Sequence, residues 1–366
     1  MGNNRLRFWV HPYIGGTGIQ GLLESHLNIE FTQYDKTKVN PTQKNIIIFF
    51  WETTASINLE HKTNNSEFFD LIKELNELGF HFLADYTTEA NYHIDSERIT
   101  FIDKLLECGV GLDRFYLASN NCDDYEIQYG PHLIKHLYFP HFLLATPLKM
   151  NEYVGDLSQY ESIKPTKDFL CLNRRVQEHK FNFVNRLSER GILPYTNLSL
   201  VANKTNPDLM RNSSLVKELN IDVDNFQSIQ LENDVMYGQE LDTADQHLYT
   251  INPKWYFDSK VNIVIETNVG DSPTHFTEKI FKPIYLGKPF VVYSTKNYLN
   301  KLREFGFTAF VDIIGEYDCT NIDSVIDAAI KLSFIYNKEH VRASCDWNKR
   351  NLRNNNIVNN FIDSLR

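Results

Sequence analysis

Between Glu266 and Lys279 the chain collects the residue types that hold a nucleotide diphosphate, spaced so that one strand-loop-helix turn presents them. Val261–Ile265 is an apolar run that reads as a buried strand. The stretch from Glu266 to Pro273 is polar and broken by Gly270 and Pro273, and it leads into Thr274-His275-Phe276-Thr277-Glu278-Lys279. Thr277 has the chemistry of an N-cap, which puts Glu278 and Lys279 in the first helical turn, beside backbone N–H groups that lack intrahelical partners. Such a helix start attracts phosphate, Lys279 adds a fixed cation, and Glu278 can accept hydrogen bonds from sugar hydroxyls. Glu266, Asn268 and His275 flank the same loop, at the carboxyl end of a strand, where open α/β sheets bind ligands. The competing reading is an ordinary helix start with a dipole-complementing Glu and a solvated Lys. Pro283 removes the usual donor to the Lys279 carbonyl and predicts a kink or an irregular turn.

Other residues could join that chemistry. Phe169-Leu170-Cys171-Leu172-Asn173 is an apolar strand ending in Arg174 and Arg175, a cationic loop before a helix that opens around Lys180. A transferase that takes a proton from an acceptor hydroxyl needs a carboxylate within hydrogen-bond reach. Asp85 and Glu89, in Asp85-Tyr86-Thr87-Thr88-Glu89-Ala90-Asn91, follow one predicted strand, and Glu52, in Phe50-Trp51-Glu52, ends another. Gly15, Gly16 and Gly18 lie in a loop after the first predicted strand, where backbone can approach an acceptor or a donor phosphate. Gly16-Thr17-Gly18-Ile19-Gln20-Gly21, with Asp35 downstream, also fits a dinucleotide fingerprint and keeps open an NAD(P)-dependent oxidoreductase. Asp222-Val223-Asp224 follows no apolar strand and reads as a turn cap rather than a metal site. His132 and His136 share a predicted helical face, with His141 beyond Pro140, but no acid stands near enough in sequence to complete a zinc set. No resident cofactor or metal is expected.

These residues need a scaffold that brings strand ends together. Strands are predicted at Leu6–Val10, Asn45–Phe50, Phe80–Asp85 and Arg114–Ala118, with helices at Ile19–His26, Ser66–Leu78 and Ile99–Cys108 between them. A second alternation begins at Asp168–Asn173, continues with a helix from Lys180 to Arg190, and returns at Val261–Ile265 and Pro289–Tyr293. The polar stretch Met150–Lys167, with Gly155 and Pro165, reads as a linker, and residues 196–260 as long loops around one helix, Leu209–Leu219. The expected division is residues 1–155, 156–336 and a helical tail, 337–366.

The segment from Glu266 to Lys279 resembles the donor motif of nucleotide-sugar glycosyltransferases, most closely the α1,3-fucosyltransferase family. There a strand ends in Glu-Asn and a short loop leads to Thr-Glu-Lys opening a helix. Here the strand ends in Glu266-Thr267-Asn268 and the helix opens with Thr277-Glu278-Lys279. Thr267 stands where the family has Asn, so that contact either slips to Asn268 or is lost. By the same resemblance Lys180 takes the place of a phosphate-contacting Arg. Tyr86-Thr87-Thr88-Glu89 is similar to the family's Tyr-Thr-Gly-Glu, which makes Glu89 the base, ahead of Glu52 and Asp85, although Thr88 replaces the Gly. The resemblance implies an α/β chain of GT-B type, with two doubly wound Rossmann-like domains facing across a cleft and a C-terminal helical segment. It implies an inverting, metal-independent glycosyltransferase taking a nucleotide-sugar donor, GDP-fucose-like, and a glycan or other hydroxyl acceptor. A sugar-binding relative without catalysis would keep the same motif.

Composition bounds the rest. At 366 residues the chain is long enough for two cores, and a net charge of −10 argues against nucleic acid as a partner. Five dispersed cysteines fit neither a zinc ribbon nor a disulfide framework and suggest reduced thiols. No apolar run approaches the roughly 18 residues of a transmembrane helix. The N-terminus matches neither a signal peptide nor a myristoylation motif, so a cytoplasmic protein is expected. Abundant Asn, Lys, Ile, Phe and Tyr suit an AT-rich genome, a microbe or a virus, which would make the compartment a host cytoplasm. Neither a Gly-x-Ser-x-Gly elbow nor a P-loop lysine is present.

Overall fold

The computed structural model describes residues 6–10, 18–27, 29–50, 66–86, 96–123, 127–173, 176–200, 207–224, 249, 251–353 and 356–366. Two compact units emerge, Met1–Leu144 with Asn355–Arg366, and Ala145–Asn354, against the expected 1–155, 156–336 and 337–366. Each is a Rossmann-like α/β unit.

In the first unit the elements run β1 (Leu6–Val10), α1 (Gly18–Leu27), β2 (Phe31–Gln33), β3 (Lys44–Phe50), α2 (Ser66–Glu77), β4 (His81–Tyr86), α3 (Ser96–Glu107), β5 (Phe115–Ser119), β6 (Ile127–Tyr129) and β7 (His132–Tyr138). The sheet order is β2-β1-β3-β4-β5-β7-β6, parallel except for β6, which pairs antiparallel with β7. Strands covered on both faces need apolar side chains on both, and Ile46, Ile47 and Ile48 are all fully buried. Helix α2 buries Phe68, Ile72 and Leu75, one face at helical spacing, against Phe80, Phe82 and Phe101. His132 and His136, expected on a helix, lie on strand β7. Residues four apart share a face in either element, so their spacing did not discriminate.

The second unit runs through α4 (His141–Tyr153), α5 (Ser158–Glu161), β8 (Lys167–Asn173), α6 (Glu178–Glu189), β9 (Thr196–Leu200), α7 (Ser214–Glu218), α8 (Pro253–Phe257), β10 (Ser259–Gly270), α9 (Glu278–Tyr285), β11 (Phe290–Thr295), α10 (Tyr298–Glu304), α11 (Ile322–Ile335) and α12 (Glu339–Asn351). Its sheet is wholly parallel, ordered β11-β10-β8-β9. The expected linker is instead part of this core. Met150, Val154, Leu157, Tyr160 and Ile163 pack with Leu170, Tyr256, Phe257 and Leu286. Residues 196–200, expected as loop, form β9.

The chain then returns to the first unit with α13 (Asn356–Leu365). The physical reason is specific contact with the end of the first sheet. Phe361 meets Phe139 edge-on at 4.9 Å, and Lys135 Nζ donates to the Ser364 carbonyl at 2.8 Å. The preceding helix, α12, stays with the second unit, where Asn348 accepts from the Thr308 N–H at 2.7 Å and donates to its carbonyl at 3.0 Å. The five cysteines are unpaired thiols. Among the described residues no helix is long and apolar enough to cross a membrane.

Candidate functional site

Each sheet has a point where the strand order reverses, and the described donor-side residues of the second unit lie at such a point. In the second unit β9 lies on one side of β8 and β10 on the other. Helices crossing from β8 must therefore leave on opposite faces, opening a crevice beyond the carboxyl ends of β8 and β10. Asn173 ends β8, Glu266 follows Ile265 on β10, and α6 and α9 start just above. In the first unit the same reversal falls between β1 and β3. The segments leaving those two ends carry Gly15, Gly16 and Glu52, which lie outside the described residues, as do Glu89, Arg174 and Arg175.

The β10 end is built around one buried carboxylate. Pairing of β10 with β11 breaks register between Ile265 and Gly270, so residues 266–269 leave the regular ladder. Glu266, with no exposed surface, accepts from Thr277 Oγ1 at 2.6 Å and Tyr298 Oη at 2.7 Å, and from the Thr277 N–H at 3.4 Å. Its carbonyl accepts from His179 Nε2 of α6 at 3.1 Å, tying the two helix starts together. Thr277 is the N-cap of α9, with extended backbone, and its hydroxyl accepts from the Lys279 N–H at 3.3 Å. Pro283 does not kink a long helix; the helix ends two residues later, and Lys288 N–H donates to the Pro283 carbonyl at 2.9 Å.

Lys279 is the cation at this helix start. Its ammonium donates to Thr267 Oγ1 at 3.0 Å and Thr277 Oγ1 at 3.2 Å, and lies 3.8 Å from Glu266 and 3.9 Å from Glu278. Its side chain stays 25% exposed, enough to meet a ligand while its neighbours fix its position. Thr267 is thus an acceptor for Lys279, while Asn268 turns inward and donates to the Pro273 carbonyl at 3.4 Å. His275 is buried, and burial, then the Lys279 charge, drives its pKa down to about 3 against a hydrogen bond with the Pro273 carbonyl. The ring is therefore neutral at ordinary pH, and its Nδ1 has no hydrogen-bond partner. Asn173 Oδ1 is likewise buried without one. Lys180 is buried on α6, and His179 beside it is held neutral mainly by burial, with a pKa near 4.

The remaining expectations separate cleanly. Asp85 is fully buried at the end of β4 and accepts from the Ile19 N–H at 3.0 Å, which pins the first turn of α1 just after Gly18. Asp35, the acid of the dinucleotide fingerprint, binds Thr37 through N–H and Oγ1 at 3.0 and 2.7 Å and Lys38 at 3.1 Å. Asp222 accepts from the Asp224 N–H at 3.1 Å, a turn as expected. His132 is exposed, His136 Nε2 meets Ser119 Oγ at 2.7 Å, and His141 is buried with a pKa near 4. Among the described residues no three His, Cys, Asp or Glu side chains converge as a metal site. Tyr298 was not anticipated; it sits on α10, 32 positions from the carboxylate it binds, and no local pattern marks it.

No family model and no curated protein sequence matches the chain. Among solved structures it is similar to one described as "Trehalose-6-phosphate from E. coli bound with UDP-2-fluoro glucose", at 10% identity over 98% of each chain, with a TM-score of 0.49. It is also similar to a UDP-forming α,α-trehalose-phosphate synthase from Burkholderia xenovorans, at 10% identity over 90% of this chain and 75% of that one, TM-score 0.40. An α,α-trehalose 6-phosphate synthase from Burkholderia multivorans matches at 11% identity over 90% and 71%, TM-score 0.42. Similarity at this level assigns neither family nor chemistry.

Proposed function

We propose that the chain is a glycosyltransferase of GT-B type that moves a sugar from a nucleotide-diphosphate donor to a hydroxyl of a glycan or other acceptor. The observation that supports it most is the crevice of the second sheet, where a capped helix start, a fixed lysine and the Arg174–Arg175 segment leave the carboxyl ends of adjacent strands. The α9 amides and Lys279 take the diphosphate, with Arg174, Arg175 and Lys180 adding positive charge. Glu278, at the edge of the same turn, takes the ribose hydroxyls. Asn173 Oδ1 and His275 Nδ1, buried without partners, are polar atoms a ligand or water would satisfy. Glu266 serves by position, holding Thr277 and so the helix start.

Departure of a nucleoside diphosphate develops negative charge, which cations and helix amides stabilise without a divalent ion. Glu89 takes the acceptor proton, with Glu52 the alternative; Asp85 is occupied with α1. Attack opposite the leaving group makes the transfer inverting, and a GDP-fucose-like donor is the first to try because of Thr277-Glu278-Lys279. Calorimetry with guanosine and uridine diphosphates and with NAD tests the reading. A nucleoside diphosphate should bind, and Lys279→Ala should weaken it roughly tenfold or more, the loss of one charge-assisted contact. Tight NAD binding without diphosphate binding would instead favour the oxidoreductase.

A further inference from the structure

The opposite ends of the strands in the first unit hold a cationic cluster that the reading above leaves unused. Residues paired across a sheet share a face, and so do residues two apart on one strand. Lys135 pairs with Tyr116, Tyr116 with Leu83, and His81, two residues before Leu83, pairs with Ile46. Lys44 is two residues before Ile46. Lys44, His81, Tyr116 and Lys135 therefore stand on one face, across four neighbouring strands.

Tyr116 is the hub. Its hydroxyl accepts from Lys44 Nζ at 3.1 Å and meets His81 Nδ1 at 3.2 Å, and the two rings stack with centroids 5.8 Å apart. The ammonium groups of Lys44 and Lys135 each lie 5.3 Å from the Tyr116 ring. Lys135 gives one N–H to the Ser364 carbonyl at the end of α13, and Arg114 nearby is held by Asn76 Oδ1 at 2.5 Å. Among the described residues no carboxylate forms an ion pair with Lys44, Lys135 or Arg114, although the whole chain carries a net charge of −10. Asp113 acts on His81, but more weakly than burial, Lys44 and Arg114, which hold the imidazole neutral. The Tyr116 hydroxyl and His81 Nδ1 share that hydrogen bond, and the tautomer of the neutral ring sets which of them donates.

Two lysines drawn to one ring, with a neutral imidazole beside them, form a cationic array with no ion-paired carboxylate among the described residues. Mutual repulsion of the lysines is relieved by a multivalent anion that several donors can share. We propose that this cluster binds a phosphoryl oxyanion, either inorganic phosphate or the phosphate monoester of a small molecule.

Calorimetry on the full chain at constant chloride, titrating inorganic phosphate and separately glycerol phosphate, tests it. Lys44→Met and Lys135→Met keep most of the aliphatic stem and should each weaken phosphate binding roughly tenfold. The His81 imidazole resonances, identified by their loss in His81→Gln, should shift on adding phosphate, and the His81 pKa should rise. The His81 response to phosphate should survive Lys279→Met, which removes only the cation of the proposed donor site. Tighter binding of glycerol phosphate identifies a monoester site, and equal or weaker binding identifies a free phosphate site. No heat with a silent His81 overturns the proposal, as does binding abolished by Lys279→Met but indifferent to Lys44→Met and Lys135→Met. Should both lysine variants fail to fold, the His81 response in the unaltered chain decides.

Discussion

Glu266→Ala should be among the most destabilising single changes in the second unit, although it removes a residue that the sequence places at a ligand site. The carboxylate accepts two short hydroxyl hydrogen bonds, from Thr277 at 2.6 Å and Tyr298 at 2.7 Å, and is fully buried. Truncation leaves both hydroxyls facing an apolar void. Each orphaned buried donor costs about 1–3 kcal/mol, and lost packing adds to that, so a total of about 3–5 kcal/mol is expected. Glu266→Gln is the informative comparison. Thr277 Oγ1 already accepts from the Lys279 N–H and Nζ, so it must keep donating, and the amide oxygen has to face it. The amide nitrogen then faces Tyr298, whose hydroxyl can turn to accept. Glu266→Gln should cost less than alanine, about 1–3 kcal/mol, because charge-assisted bonds become neutral and the amide nitrogen faces the Thr277 N–H, which loses its acceptor at 3.4 Å. Urea unfolding gives the global number, and hydrogen exchange of the α9 amides reads the local one in a chain of two units. An alanine variant within about 0.5 kcal/mol of the parent would refute the idea that Glu266 anchors the helix start.

Other expected outcomes follow from the same geometry. Glu89→Gln should leave donor affinity near wild type and lower single-turnover transfer by roughly 10²–10⁴-fold, while Glu52→Gln loses much less; the reverse pattern makes Glu52 the base. His275 and His141 are buried with folded pKa values of about 3 and about 4, below the unfolded value near 6.5. The unfolded chain then binds more protons below pH 6.5, so their contribution is complete above that pH and is lost as pH falls to about 4 for His141 and about 3 for His275. The slope is about 1.4 kcal/mol per pH unit for each histidine, and His141→Gln should flatten it in urea unfolding measured across that range. Phe361→Ala, which empties the contact with Phe139, should destabilise the first unit by about 3–5 kcal/mol, and exchange protection should fall in β7 rather than in the second unit.

What was legible in the sequence depended on how each buried position is satisfied. Strands β3 and β11 read directly because parallel strands covered on both faces need unbroken apolar runs, and Ile46–Ile48 and Phe290–Val292 supply them. Strand β9 is just as buried but reads as loop. Thr196 donates to the Ile192 carbonyl, Asn197 to Ser259 Oγ, and Ser199 Oγ accepts from the Asn173 N–H. Thr196 is satisfied four residues back, but the partners of Asn197 and Ser199 come only from neighbouring strands of the folded sheet. The supposed linker hid core residues, Met150, Val154, Leu157 and Tyr160, spread over the end of α4, the turn at Gly155 and α5.

The site divides along the same line. The Thr277 cap is a property of three consecutive residues, Thr277-Glu278-Lys279, so local chemistry announces it. Glu266 and Tyr298 meet only because α10 folds back over the break in β10, and nothing within 32 residues signals that. Strand order matters more still. A sequence that yields β8 and β10 as separate strands does not say that they are neighbours, with β9 displaced to the far side. That adjacency places the ends of β8 and β10 side by side, and the His179–Glu266 hydrogen bond then fixes the spacing of the two helix starts above them. If β9 stood between β8 and β10, an extra strand would part them by about 5 Å more, and α6 and α9 would start over separate surfaces. Residue types suggest the chemistry, and the reversal of strand order brings the ends of β8 and β10 and the starts of α6 and α9 to one place.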